Sequence, residues 1–187
     1  MANKIKYGLQ DVYYAKITAV TTGGYSYGTV SPWPGAVNLS MAQQSGESNF
    51  YADNVVYWKQ EANNGYEGTL ETALIPDDFR KDILGETLDA KGFYVEKANA
   101  TQSEFALLFQ FEGDENATRH IFYRCVASRP DVNGATKEET IEPQTETINI
   151  SALARVTDQV VKARAPYSAT TTSSYQLWYT TVQEPTP

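Results

Sequence analysis

The sequence is poor in the residues that most often carry catalysis. Among its 187 residues there is one cysteine, Cys125, and one histidine, His120. A disulfide within the chain is therefore impossible, and a zinc site built from clustered Cys and His ligands is excluded. The two residues lie five apart in a predicted strand, so we expect them to point to opposite faces and not to form a nucleophile pair.

Motifs for other kinds of chemistry are missing as well. Residues 23–28 hold three glycines but neither a lysine nor a following helix, so they do not form a phosphate-binding loop. The acidic turn at residues 113–116 lacks the central glycine and the final glutamate of a calcium loop. Nothing indicates the cleft with two carboxyl groups that a glycosidase needs. We expect no enzymatic activity, no cofactor and no metal.

Long hydrophobic runs are absent. Residues 1–10 contain lysines but no apolar core of the kind found in secretory signals. No apolar run approaches the roughly 20 residues that cross a bilayer. We therefore expect a chain that is made and folded in a cytoplasm and has no membrane partner.

Positive charge is scarce where negative charge is concentrated. The net charge of the chain is −8, and residues 61–115 carry 13 acidic and four basic side chains, a local balance of −9. Nucleic-acid binding depends on Lys and Arg side chains that displace counterions from phosphates. The composition therefore argues against a nucleic-acid binder and suits a surface that repels a polyanion.

What the sequence does contain is a repeated alternation of apolar and polar residues. Apolar side chains occupy every second position in stretches such as residues 105–111 and 121–127. The 13 tyrosines and many threonines also favour strands. Asn64-Gly65 lies between two strand-like runs and predicts a hairpin turn. This spacing predicts a mainly β protein, a sandwich or barrel of two packed sheets.

One short helix is predicted at about residues 76–84. Pro76 suits the first turn, and Gly85 suits the position just after the last helical residue. Phe79 and Ile83 are four residues apart and would bury one face of the helix against the sheet.

The chain is predicted to form a single domain, residues 1–187. Three segments are expected to be ordered only on assembly. They are an N-terminal arm at about residues 1–10, a long loop at about 41–54 and a C-terminal arm at about 166–187.

Five segments in one order carry a resemblance to a known family. They are residues 4–18 (KIKYGLQDVYYAKIT), 27–54 (YGTVSPWPGAVNLSMAQQSGESNFYADN), 63–86 (NNGYEGTLETALIPDDFRKDILGE), 105–130 (FALLFQFEGDENATRHIFYRCVASRP) and 137–152 (KEETIEPQTETINISA). They resemble the major tail proteins of siphophages, which are the subunits of the tail tube. The resemblance spans nearly the whole chain and thins past residue 155.

The resemblance implies a tail-tube fold and a structural role without catalytic residues. Such subunits form hexameric rings that stack into a hollow tube in the tail of a long-tailed, non-contractile bacteriophage. The implied partners are other copies of the chain, a tape-measure protein, and the tail-tip or baseplate and tail-terminator proteins. DNA passes through without specific binding. The implied location is the virion tail, after synthesis in the cytoplasm of the bacterial host.

A tube lumen that lets DNA slide should repel phosphate. Two polar rows suit this role, and we hypothesise that at least one of them faces the lumen: Glu67, Thr69 and Glu71, and Glu142, Gln144 and Glu146. The alternative is that both rows are merely solvated outer faces.

Ring closure requires one surface patch to meet a different patch on the next copy. We predict that Phe50 and Tyr51, in the long loop, lie in contacts between subunits. We also predict that Arg155, Lys162 and Arg164 meet the acidic stretch of a neighbour.

A second interpretation is a β-sandwich module that binds carbohydrate or a receptor. Tyr25, Tyr27 and Trp33 fall in predicted loops, where aromatic rings stack on sugars. Composition alone does not separate this module from a tube subunit, and the resemblance favours the tube.

Overall fold

The computed structural model describes residues 5–22, 24–113, 117–136, 143–168 and 172–185. Strands make up 51% of the structure, about twice the usual share, so the predicted mainly β fold is confirmed. The strands are β1 (Leu9–Thr21), β2 (Gly24–Tyr27), β3 (Ser31–Pro32), β4 (Ala36–Ala52), β5 (Val55–Thr72), β6 (Thr87–Leu88), β7 (Tyr94–Val95), β8 (Phe105–Phe111), β9 (Arg119–Ala127), β10 (Glu146–Ala152) and β11 (Lys162–Ala165). The helical segments are α1 (Asp77–Phe79), a π-helical turn (Arg80–Leu84) and α2 (Thr172–Gln176).

The strands form two antiparallel sheets of very unequal size. The large sheet has nine strands in the order β2-β1-β8-β9-β10-β5-β4, with β3 added to β1 and β11 added to β9. The small sheet consists of β6 and β7. The large sheet is curved, as a contact between its two ends indicates. The backbone N–H of Trp33, shortly before β4 begins, donates a hydrogen bond to the carbonyl of Val12 in β1 (2.7 Å). The start of β4 is thereby held close to β1, near the other end of the strand order.

The buried apolar residues form two core clusters. The first, which includes Tyr14, Trp33, Phe79 and Phe105, fills the concave face of the large sheet. The predicted helix is confirmed over residues 77–84, and Gly85 ends it with a left-handed φ of 79°. Phe79 and Ile83 are fully buried, as their spacing predicted. The ring of Phe79 lies 4.3 Å from that of Trp33 and 5.0 Å from that of Tyr14, measured between centroids. The helical segment therefore docks through one buried aromatic side chain.

Glu146 ties the helical segment to the sheet. Its carboxylate accepts hydrogen bonds from the Arg80 guanidinium at 2.9 and 3.1 Å and from the backbone N–H of Ile75 at 2.7 Å. Glu146 is in register with Thr72, which is fully buried. Its side chain thus lies on the core side of the sheet, and the prediction that it belongs to an exposed polar row is wrong.

The second core cluster lies on the opposite face of β1, β8 and β9. It is covered by the C-terminal part of the chain, whose buried Tyr175 and Trp178 pack there. Tyr179 stacks on Tyr13 with ring centroids 4.5 Å apart. The prediction of a C-terminal arm is therefore wrong for residues 172–185, because their aromatic side chains are folded back onto the sheet.

The N-terminal prediction is only partly testable. Residues 5–8 precede β1, and Ile5 and Tyr7 are exposed. The backbone carbonyl of Tyr7 nevertheless accepts a hydrogen bond from the N–H of Gly113 (3.0 Å). This segment thus lies along the end of β8, whereas residues 1–4 are outside the described ranges.

Residues 36–72 form a long β-hairpin whose outer part extends from the sheet. β4 and β5 stay paired from Ala36 opposite Thr72 to Ala52 opposite Val55, with a two-residue turn at Asp53 and Asn54. Both turn residues have positive φ, 51° and 63°, as the twist of a tight hairpin requires. The predicted loop at residues 41–54 is therefore wrong. We call residues 44–64 the arm.

The hairpin turn predicted at Asn64-Gly65 is wrong as well. Gly65 lies inside β5 with a φ of 97°, next to a bulge where the pairing of β4 and β5 shifts between Gln43 and Ser45. An added Cβ at Gly65 would lie 2.1 Å from the carbonyl oxygen of Ala152. The absence of a side chain at Gly65 thus allows β5 and β10 to approach each other closely at the base of the arm.

Candidate interaction surfaces

The residues with reactive side chains do not form a catalytic group. Among the described residues, no cluster of three or more His, Cys, Asp or Glu side chains could hold a metal ion. Cys125 is fully buried, and burial raises the pKa of its thiol far above the ordinary value. A bulge in β9 between Phe122 and Cys125 brings His120 and Cys125 to the same side of the sheet, so the predicted opposite orientation is wrong. They remain about 16 Å apart along the strand, and His120 stacks on Phe109.

The arm carries the most conspicuous exposed apolar surface near its tip. Six large side chains there are 48–74% exposed: Phe50, Tyr51, Val55, Val56, Tyr57 and Trp58. Scattered single apolar residues are normal on a protein surface, but a contiguous group marks an interaction site. Phe50 and Tyr51, predicted from the sequence to lie between subunits, belong to this group, which we call the arm tip.

The body of the protein gives the arm little support. Every residue from 55 to 64 is exposed, so this half of the arm packs against no other part of the described structure. Its ion pairs join Lys59 to Glu47 and to Glu61, all exposed, and such surface pairs contribute little to stability. A two-stranded ribbon alone is marginally stable in water. The arm therefore has the properties of a segment that gains its stability from a partner.

A second surface is the outer side of β4, β5 and β10. Glu67, Thr69 and Glu71 project from it, while Leu70 and Thr72, on the other face of β5, are buried. Their neighbours in register are small or polar side chains: Asn38, Ser40 and Ala42 on β4, and Thr147, Asn149 and Ser151 on β10. We call these nine positions the polar sheet face. Their only charges are the two glutamates, so this face offers phosphate no cationic partner.

The second predicted row does not join this face. Gln144 is exposed but precedes β10, and Glu146 faces the core. Glu142 lies outside the described residues. The prediction of an alternating row is therefore wrong for Gln144 and Glu146, because the strand begins only at Glu146, and at Glu142 it stays a prediction.

Arg155 is not available for a neighbouring subunit. It is only 3% exposed and forms ion pairs with Asp158 and Glu184 of its own chain. Its guanidinium also lies over the rings of Tyr25 and Tyr123. The prediction of an inter-subunit role for Arg155 is therefore wrong. We call this group the C-terminal clasp, because it fixes residue 184 to the body.

The other two predicted basic residues remain exposed. Lys162 and Arg164 lie on β11, paired with Phe122 and His120 of β9. The Lys162 ammonium lies 4.2 Å from the centroid of the Tyr66 ring. Both side chains are exposed, so they are available for the predicted contact between subunits.

The C-terminal clasp leads to a prediction about alkaline pH. Burial, assisted by Glu184, raises the pKa of Tyr27 from 10.0 to about 12. Its phenol donates to the backbone carbonyl of Tyr123 (3.2 Å). Because the folded state keeps this phenol neutral, its contribution to stability is complete below pH 10 and is lost as the pH rises from 10 to 12. Between pH 9 and pH 11.5, we expect the free energy of unfolding in urea to fall more for the wild type than for Tyr27→Phe. Equal losses in the two proteins would contradict this assignment.

None of the helices in the described ranges combines the length and the apolar composition needed to span a membrane. The chain matches no protein-family model and no curated protein.

Proposed function

We propose that this chain is the subunit of a self-assembling tube, of the kind that forms the tail of long-tailed, non-contractile bacteriophages. In this proposal, hexameric rings stack into a hollow tube through which genome DNA passes without specific binding. The protein acts by its contact surfaces and is not an enzyme. Its further partners are a tape-measure protein and the tail-tip and tail-terminator proteins.

The arm is the observation that carries this proposal. It extends from the sheet, exposes six large apolar side chains at its tip and, apart from the pairing of its own two strands, is largely exposed in the described structure. Such a ribbon favours a protein that functions as one of many identical copies, because each arm needs a receiving surface elsewhere. In the described part of the chain, β4 also pairs with β5 alone, so its outer edge is open to strand addition.

The polar sheet face supports the second half of the proposal, the passage of DNA. Its side chains are short, apart from two glutamates, and it adjoins no lysine or arginine in register on β4, β5 or β10. Such a face repels a polyanion or leaves it unbound. We assign it to the lumen of the tube.

The aromatic residues that suggested a sugar-binding module are engaged inside the protein. Trp33 and Tyr25 are buried, and Tyr27 hydrogen-bonds to Tyr123. The ring faces that a sugar needs are thus occupied, which leaves the carbohydrate-binding alternative without a supporting observation.

The test of the proposed function is negative-stain electron microscopy of the purified chain over a series of concentrations and salt conditions. We expect rings or hollow tubes of uniform width. A monomer that persists at all concentrations, and also when tail-tip proteins are added to start polymerisation, would overturn the proposal.

Reversing the charge of the polar sheet face tests the assignment of the lumen. In the double variant Glu67→Lys, Glu71→Lys we expect tubes to form but to retain short double-stranded DNA that wild-type tubes do not bind. The retention should weaken steeply between 50 and 200 mM salt, as phosphate contacts do. Co-sedimentation of labelled DNA with the tubes measures it.

The matched control is the double variant Glu112→Lys, Asp131→Lys. Both residues are exposed and lie off the polar sheet face. It makes the same change in net charge. Equal co-sedimentation of DNA with the tubes of both variants, or none with either, would contradict the assignment of the polar sheet face to the lumen.

A further inference from the structure

An apolar groove lies open at the base of the arm. Its floor is formed by six apolar and aromatic side chains: Leu39, Met41, Tyr66, Phe109, Phe111 and Phe122. The volume is about 260 Å³, slightly below the roughly 300–1,000 Å³ of typical small-molecule sites. The groove is therefore better suited to one or two large side chains from another protein, which is how the anchor residues of interfaces bind.

The rim of the groove is basic, in contrast to the net charge of −8 of the chain. Lys162 holds its ammonium 4.2 Å from the ring centroid of Tyr66, and Lys6 holds its ammonium 4.4 Å from that of Phe111. Both groups flank the apolar floor. The groove thus favours an occupant that combines apolar side chains with a negative charge.

The arm tip has this combination. Asp53 is at the turn of the hairpin, and the apolar residues of the arm tip flank it on both strands. Glu47 and Lys59 are paired with each other farther down the arm, so Asp53 is the charge closest to the turn. Shape and charge of the arm tip therefore complement those of the groove.

An arm cannot reach the groove of its own chain. Met41, in the floor of the groove, and Asp53, at the turn, are 12 residues apart on a paired ribbon, which corresponds to roughly 40 Å at about 3.3 Å per residue. The exposure of residues 55–64 agrees, since a half-arm folded onto the described body of its own chain would be partly buried. The matching groove must belong to a second copy.

We propose that the arm tip of one subunit inserts into the groove of a neighbouring copy, where Asp53 pairs with Lys6 or Lys162 on the rim. This inference rests on the proposed self-assembly and identifies the two patches that meet. The contact is heterologous, because arm tip and groove are different surfaces of the same chain. Repeated from copy to copy, it generates a closed ring or a continuous stack.

The test is disulfide cross-linking between mixed subunits. Cys125 is fully buried, so the native chain supplies an unreactive background. Subunits with Asp53→Cys are mixed with subunits with Lys162→Cys, assembled, oxidised and separated on a denaturing gel. We expect a disulfide-linked heterodimer in high yield. The matched control replaces Lys162→Cys by Val132→Cys, a fully exposed loop position, and should give at least tenfold less dimer.

Charge reversal provides a second measurement that does not depend on cysteine chemistry. We expect Lys162→Glu and Asp53→Lys each to raise the concentration needed for assembly by at least tenfold, and the double variant to recover most of the loss. If wild-type tubes form but neither the cross-link nor the rescue is found, the groove is not the receptor, while the proposed function stands. If the wild type forms no rings or tubes, also when tail-tip proteins are added, and no cross-link is found, both proposals are overturned.

Discussion

Replacing residues 45–63 by a two-residue Asn-Gly turn is expected to abolish ring and tube formation and to leave a folded monomer. The arm contributes no residue to either core cluster among the described residues. The pairing of Gln43 with Tyr66 lies outside the replaced part, and a five-residue connection (44, Asn, Gly, 64 and 65) would join these two residues as a short hairpin loop. The shortened chain should therefore keep its thermal unfolding midpoint within about 4 °C, which corresponds to roughly 1 kcal/mol for a chain of this size.

Light scattering after size-exclusion chromatography, together with electron microscopy, measures the loss of assembly. Tyr57→Ser and Trp58→Ser refine the test, because aromatic anchors of interfaces typically contribute about 2 kcal/mol, or roughly 30-fold in affinity. Val132→Ser removes a fully exposed apolar side chain outside the arm and should leave the assembly threshold unchanged. An armless chain that still formed tubes would show that the arm is not an essential contact.

The elements that the sequence predicts correctly are those with at least one face in a core. Residues 105–111 and 121–127 are rich in apolar side chains and form β8 and β9, which lie between the two core clusters and bury residues on both faces. The helical segment was found for the same reason, since Phe79 and Ile83 are buried together. Local pattern was sufficient wherever burial was decided by immediate neighbours in the chain.

The arm was missed because neither of its faces is buried in its own chain. Residues 43–49 are polar without alternation, which is typical of a loop, although they lie in β4 and all but Gln44, at the bulge, pair with β5. The run Val55–Val56–Tyr57–Trp58 does favour a strand, but its pairing with the segment before the two-residue Asp-Asn turn is not evident from that polar segment. Consecutive apolar residues in a strand indicate burial on both sides, and here a partner molecule would have to supply it.

The charged residues were misassigned for a different reason. Arg155 and Glu184 are 29 residues apart, and Arg80 and Glu146 are 66 apart, yet each pair is in contact. The distribution of charge along a sequence does not reveal such pairings. The excess of acidic residues in the stretch 61–115 is similarly reduced in space by partners such as Arg124 with Glu104 and Arg129 with Glu96.

Phe79→Ala is expected to have the largest effect on stability. The Phe79 ring is fully buried between Tyr14, Trp33 and Phe105, with centroid distances of 4.3–5.2 Å. Truncating a buried phenylalanine leaves a cavity and costs about 3–5 kcal/mol. Here the loss also weakens the docking of the helical segment, which the buried Ile83 and Leu84 and the Glu146 carboxylate would still hold to the sheet. Equilibrium unfolding in urea measures the change and is monitored by tryptophan fluorescence, to which the buried Trp33 and Trp178 contribute.

Phe93→Ala is the control for this prediction, because Phe93 is 62% exposed and its truncation should cost less than about 0.5 kcal/mol. Phe79 packs in the first core cluster, whereas the arm tip lies at the far end of the β4–β5 hairpin. Loss of the Phe79 ring should therefore lower the fraction of folded chain. It should not change the concentration at which the folded chain assembles. Stability and assembly are thus separable: the core variant weakens the first, and the armless variant removes the second. A Phe79→Ala protein destabilised by less than 1 kcal/mol would mean that the helical segment is not anchored by this ring. In that case the contacts of Glu146 would have to hold it in place.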